Sequence, residues 1–188
     1  MELARAALVR SITIRNQGMT PLSQHHYERK QCFDPVVDAR TRLLMLGSLP
    51  GDKSLAMQEY YGHPQNRFWH LMSEVLGVDL VRIDYQARLR TLLEHGVGLW
   101  DVVAEAHRPG SLDSRIRARA DNDLPGLLAR FPQIRTIAFN GGTAAKLGLK
   151  ILGGHAADYR IVALPSSSPA YTLPYEKKLQ LWSQLRGR

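Results

Sequence analysis

The sequence reads as an α/β protein of three layers, with helices on both faces of a short, mainly parallel, four-stranded sheet. Short continuous apolar runs recur along the chain, as strands buried on both faces require. Stretches with apolar residues at helical spacing alternate with them. That alternation describes one doubly wound sheet rather than two domains, and 188 residues suffice to bury one full core.

Residues 1–31 are set apart as an N-terminal extension, leaving 32–188 as the folded domain. The extension carries five basic residues against two acids and no sustained period. An Arg-rich, acid-poor start fits a transit peptide. A mobile extension, or a start site upstream of Met19, accounts for it as simply. His25-His26 has no further ligands with which to form a metal site.

The first strand is Leu43–Leu46, ended by Gly47. A loop of nearly twenty residues follows, carrying Tyr60 and Tyr61 and closing on Asn66. From Asn66 to Gly77, Phe68, Trp69, Met72, Val75 and Leu76 share one helical face, with Gly77 as the C-cap. Tyr85–His95 is a second helix with Leu89, Leu92 and Leu93 inward. Val97–Ala104 is the next buried strand and carries Asp101. The polar stretch after it has no clear period and reads as an excursion over the sheet edge. Leu124–Phe131 is a short helix with Asp123 as N-cap and Pro125 in the first turn. Ile134–Phe139 is the third strand, running into Asn140-Gly141-Gly142 and a helix over Thr143–Leu149. Tyr159–Leu164 is the fourth; it opens into Pro165-Ser166-Ser167-Ser168-Pro169, and a last helix starts at Pro174.

Composition narrows the chemistry. A formal charge of +8 raises the expectation of a polyanionic partner. The single cysteine, Cys32, excludes a disulfide framework, a CxxC zinc site and a four-cysteine iron–sulfur cluster. No apolar run approaches the roughly 18 residues that span a membrane. His63, His70, His95, His107 and His155 lack metal-ligand spacing, so neither a metal nor a cofactor is expected.

If the strands are parallel, Ser48 to Asn66, Asp101, Asn140-Gly141 and Ser166–Ser168 meet at their carboxyl ends, where open α/β sheets bind ligands. GSLPGDKS fails as a phosphate loop, because three residues rather than four separate Gly47 from Gly51 and Asp52 precedes Lys53-Ser54. Ser166, Ser167 and Ser168 lack the G-x-S-x-G elbow of a serine hydrolase. What remains is a set of amides, hydroxyls, aromatics and one carboxylate. Such a set suits a flat hydrogen-bonding heterocycle, stacked on an aromatic and paired at its edge. A Ser/Pro/Gly loop with free backbone N–H groups can grip phosphates beside it.

Six pieces then carry a resemblance, in order along four-fifths of the chain. They are Gly47-Ser48-Leu49-Pro50-Gly51, Tyr60 to Trp69 (YYGHPQNRFW), Gly98 to Val102 (GLWDV), Gly110 to Ser114 (GSLDS), Phe139-Asn140-Gly141, and Leu164 to Ala170 (LPSSSPA). Together they resemble the uracil-DNA glycosylase superfamily, and within it the hypoxanthine-DNA glycosylase branch. The resemblance implies a monofunctional glycosylase of base excision repair. Such an enzyme flips a deaminated base from DNA and hydrolyses its N-glycosidic bond without a metal. Hypoxanthine is the first expected substrate, and uracil or a G:T or G:U mismatch the alternative. A non-catalytic nucleic-acid or nucleotide binder is the rival from another class. The expected partner is DNA, the expected state a monomer. The expected location is the cytoplasm with the nucleoid for a prokaryotic chain, with a nuclear or organellar one left open.

The family also assigns roles. Mismatch-specific relatives read Gly-x-Asn-Pro-Gly in the first motif and position water with that Asn, where this chain has Leu49. In the hypoxanthine branch the work falls to the Asn of His-Pro-x-Asn-x-Phe-Trp, here Asn66, with Asn140 as second amide. An amide takes no proton near neutral pH, so Asn66 would orient water rather than activate it. As an N-cap alone it would equally open its helix. Tyr60 or Tyr61 is expected to stack on the base, or else to serve the core. Gly47, Ser48, Leu49, Pro50, Phe68 and Asp101 complete the expected pocket, Asp101 being either a polar base contact or a loop anchor. Pro165, Ser166, Ser167, Ser168, Pro169, Ala170 and Tyr171 match the loop that pinches and wedges DNA, although Tyr171 stands where Asn is common. Lys177 and Lys178 read as a solvated helix face.

Overall fold

In a computed structural model that describes residues 29–186, the chain opens with β1 (Arg29–Gln31) and enters its main sheet at β2 (Leu43–Gly47). There follow α1 (Asp52–Met57), α2 (Phe68–Leu76), α3 (Tyr85–Glu94), β3 (Val97–Asp101), β4 (Val103–His107), β5 (Arg117–Asp121), α4 (Leu124–Arg130), β6 (Thr136–Asn140), α5 (Gly142–Leu152), β7 (Arg160–Leu164) and α6 (Tyr175–Trp182).

Strands β3-β2-β6-β7 form the main sheet in that order, every pair parallel. Successive side chains on β2 point to opposite faces, so its apolar run feeds two cores. Leu43 and Met45 pack with Phe68, Leu71, Met72 and Trp182 on one side. Leu44 and Leu46 pack with Leu124, Leu127 and Leu152 on the other. Each such side chain, fully buried, contributes about 1.5–3 kcal/mol. The result is the three-layer α/β/α arrangement the apolar pattern predicts.

Caps set the helix ends. The Asp123 side chain accepts the Gly126 N–H at the start of α4, and Asp84 accepts the Ala87 N–H at the start of α3. Gly77, at φ 71°, closes α2.

The structure departs from expectation in four places. The long loop after β2 contains a helix, α1, too short and mixed to show a period. Val97–Ala104 is two elements rather than one. At Val102 the chain leaves the parallel sheet, its N–H donating to Gly47 O and that of Val103 to Ser48 O. The polar excursion is then strand-bearing: β4 pairs antiparallel with β1 on one side and β5 on the other. Strand β5, Arg-Ala-Arg-Ala-Asp, lies at the open edge of this second sheet with mostly exposed side chains, so no buried face writes an apolar alternation into it. Arg29–Gln31, placed with the extension from sequence, belong to this sheet. The transit-peptide and mobile-extension readings and His25-His26 lie outside the described residues.

Candidate active site

Register brings the strand ends level. Gly47 pairs with Asp101, and Asn140 pairs with Leu164, the last residue before the serine loop. Above them opens a cavity of about 530 Å³, within the usual range for small-ligand sites. It collects Ser48, Leu49, Pro50, Tyr60, Tyr61, Asn66, Asp101, Asn140 and Ser166–Tyr171. Two expected members stand outside it: Phe68 and Pro165. Phe68 is fully buried and backs Tyr61; Pro165 is turned inward, its carbonyl accepting from Trp182 Nε1 at 3.0 Å.

The Gly47–Gly51 turn is held from behind by a residue absent from the sequence-derived site. Arg108 is only 2% exposed. Its guanidinium donates to Leu49 O at 3.0 Å and to Pro50 O, and pairs with Asp113 at 3.1 Å. Asp113 in turn accepts from Ser48 Oγ at 2.7 Å. The signal for Asp113 was the GSLDS segment, whose place in the resemblance carried no assigned role. Arg108, two residues before it, sat in a stretch rich in solvated arginines and gave none.

The tyrosine pair divides its tasks. Tyr60 is 3% exposed, set edge-on to Phe33, with its hydroxyl donating to Asp34 O at 3.1 Å. It is a core residue whose edge borders the cavity, not a platform. Tyr61 lies flat on Phe68, with ring centroids 3.6 Å apart and planes 14° from parallel. It holds a positive φ of 56°, rare for a bulky residue and costing about 1–3 kcal/mol. The Tyr61–Phe68 stack therefore supplies the aromatic wall. Both phenols titrate above the ordinary range because burial opposes ionisation.

Asn66 sits two residues ahead of α2. Its Oδ1 accepts the Phe68 N–H at 3.0 Å, so it satisfies the first helical N–H, although the N-cap position itself is held by Arg67. Asn66 lines the cavity, and its amide nitrogen makes no hydrogen bond among the described residues. Asn140 is more committed. It donates through Nδ2 to Ser167 Oγ and accepts the Ser167 N–H through Oδ1, both at 2.8 Å. That pairing makes it first a strut for the serine loop, with one amide hydrogen to spare for a ligand.

Asp101 is 4% exposed and its Oδ2 is buried without a hydrogen-bond partner. Burial pushes its carboxyl up to about 7; Arg108 opposes the rise and Asp113 adds to it. The carboxyl reaches across β2 because position 47 is glycine: a Cβ there would stand 2.5 Å from Asp101 Oδ1. The Tyr61 hydroxyl lies on the same spot and has no partner of good geometry, although the Asn140 amide is its neighbour.

The serine loop is tied down rather than open. Arg67 N–H donates to Ser167 O at 3.0 Å. Lys178 Nζ donates to Tyr171 O at 2.7 Å and Ser168 O at 3.3 Å, and stands 5.4 Å from the Tyr171 ring. At 3% exposure Lys178 is a tether, not part of a solvated face; Lys177 beside it is exposed, as expected. Most of the loop's N–H groups are also spent, that of Ser166 alone making no hydrogen bond among the described residues. Those of Ser168 and Ala170 go to Ser166 Oγ and Ser168 Oγ, each at 3.2 Å, and that of Tyr171 to Ser168 O. Phosphate capture by backbone N–H groups would start from that of Ser166, and any further one would need these bonds exchanged. The exposed rim is instead Pro169, Ala170 and Tyr171, the last 48% exposed.

Lys178→Met fills the same space without donors. Losing charge-assisted bonds worth about 1.5–3 kcal/mol, the loop should exchange its Tyr171 amide at least about tenfold faster. Hydrogen exchange followed by NMR measures this, and unchanged exchange would show that Lys178 is no tether.

An aromatic wall, an amide, a buried carboxyl and a rigid rim at the carboxyl edge of a parallel sheet are the equipment of a protein that lodges a flat heterocycle. Comparison with known proteins places that class. Residues 35–186 match the model of the uracil DNA glycosylase superfamily. A hypoxanthine DNA glycosylase of Methanosarcina acetivorans is 41% identical over 75% of this chain and 87% of its own length. One from Methanosarcina barkeri is 37% identical over 83% of this chain and 97% of its own. The solution NMR structure of a Methanosarcina acetivorans protein, named as a candidate uracil DNA glycosylase, superposes with a TM-score of 0.75. It is 38% identical and covers 84% of this chain and 96% of that one. The chain belongs to the uracil DNA glycosylase superfamily.

Proposed function

We propose that the protein excises hypoxanthine from DNA, hydrolysing the N-glycosidic bond of a flipped deoxyinosine. The observation that carries the reading is the placement of Asn66 at the cavity, its NH2 free, opposite a first motif that carries apolar Leu49. The two curated relatives bear the hypoxanthine name at about 40% identity. The base would lie against the Tyr61–Phe68 stack with its edge toward Asp101 and Asn140. Asn66 would hold a water in line with C1′ through its cavity-side amide as the sugar gains oxocarbenium character. In so dissociative a reaction, placing the water matters more than activating it. Tyr171, exposed on a tethered rim, would fill the gap in the duplex. We further propose that it works as a monomer without metal. The basic charge suits the DNA backbone.

A duplex with a single deoxyinosine, incubated with the protein and treated with alkali, should break at that position and release free hypoxanthine. Cleavage of only uracil-bearing or mismatched duplexes would move the substrate to the second choice. Cleavage of none would leave a binder of nucleic acid.

A further inference from the structure

We propose that Asp101 is the general acid of the reaction, delivering a proton to the departing base. The inference rests on the glycosylase reading and adds to it a residue and a role.

Asp101 ends β3 and lines the cavity, and its Oδ2 is buried with no hydrogen-bond partner among the described residues. A carboxylate accepts hydrogen bonds and cannot donate, so a buried one needs N–H or O–H groups aimed at it. No described N–H reaches Oδ2. A neutral carboxyl is the opposite case: it carries its own donor and lacks only an acceptor. A base in the cavity brings acceptors with it, a ring nitrogen or an exocyclic oxygen, and meets the carboxyl at Oδ1, over Gly47, since Oδ2 is sealed off. The protein has cleared the way for this contact. Position 47 is glycine where any side chain would collide with the carboxyl, which therefore projects over β2 toward the cavity rather than lying flat on its own strand.

The titratable groups around it agree. Cys32, Tyr60 and Tyr61 are neutral near pH 7, their ionisation opposed by burial and by the Asp101 charge itself. Arg108 favours the carboxylate, but its charge is already engaged by Asp113, which pushes the other way. The balance holds the carboxyl at about 7, where a proton donor is still largely loaded yet able to give its proton up.

The step balances as follows. The C1′–N9 bond breaks with its electron pair going to the purine, and the Asp101 proton passes to that purine, which leaves neutral. Water forms the new bond to C1′ and loses a proton to solvent, from which Asp101 is recharged. Asn66 places the water on one side of the sugar while Asp101 serves the base on the other.

The test is the single-turnover excision rate from pH 5 to 9, in wild type and in Asp101→Asn, on whichever base of an inosine, uracil and mismatch panel the wild type releases. The wild-type rate should fall about tenfold per pH unit above pH 7. Asp101→Asn should be slower by at least about 10²-fold at pH 6, the usual worth of a positioned acid, and should lose that fall. A wild-type rate that climbs through pH 7 overturns the inference, since a base would act so; so does an Asn variant that keeps the wild-type rate and profile. If the variant does not fold by circular dichroism, the direction of the wild-type profile decides alone. A panel on which the wild type releases nothing removes the glycosylase reading and this inference with it.

Discussion

Asn66→Ala should lower the single-turnover excision rate by about 10²-fold, the effect of misplacing one reacting group. The same change should cost the fold only about 1 kcal/mol, because what stability loses is a single cap, the Phe68 N–H to Asn66 Oδ1 bond. The two roles of this side chain use its two ends, so they separate. Asn66→Asp keeps the oxygen that caps α2 and replaces the NH2. It should unfold at nearly the wild-type temperature, and because a carboxylate also accepts from water and can take its proton, it should recover part of the rate that alanine loses. Excision by Asn66→Ala within about threefold of wild type would leave Asn66 as a cap and nothing more.

The second large effect concerns stability and runs against intuition. Asp101→Asn should stabilise the protein at pH 8. The Asp101 carboxyl is held at about 7 in the folded chain and returns to its ordinary 3.8 when unfolded. Below pH 4 both states are protonated and nothing is lost. Between about pH 4 and 7 the unfolded chain gives up a proton that the folded chain keeps, and each pH unit costs the fold about 1.4 kcal/mol. Above 7 the loss is complete, at about 4 kcal/mol. Asparagine has no proton to lose. Its stability relative to wild type should therefore grow by about 4 kcal/mol from pH 4 to pH 8, read from urea unfolding of both proteins at each pH. A difference that stays flat with pH would mean that Asp101 titrates as an ordinary surface carboxyl. Together with the slower excision expected of the same variant, this describes a residue kept at the expense of the fold.

How much of this was legible in the sequence follows what writes a pattern and what does not. Strands β2, β3, β6 and β7 were visible because burial on both faces demands unbroken apolar runs, and α2 because its buried face repeats at helical spacing. The meeting of Asn66, Asp101, Asn140 and the serine loop followed from parallel strands alone. Strand β5 and helix α1 were not visible, since mostly exposed or very short elements leave no periodic trace. Single side chains were the least legible. Lys178 follows a lysine on an amphipathic helix, and only the third dimension shows that it turns in beneath Tyr171 while Lys177 turns out. Arg108 lies among arginines that face solvent, yet it alone among them is buried to hold Leu49 and Pro50. Which tyrosine of the pair is the wall depended on a backbone angle at Tyr61 that no composition encodes.

The tethering of the serine loop bears on how this protein could be re-engineered. Its carbonyls are held by Lys178 and Trp182 of α6, by the Arg67 N–H ahead of α2, and its centre by Asn140 of β6. Three elements distant in sequence thus share in one rim. A loop transplanted from a relative would arrive without its anchors and lose its shape, and a chain trimmed within α6 would release the rim even with the pocket intact. Exchanging this rim between members of the superfamily would require moving the anchors with the loop. The heritable unit is the loop and its moorings together.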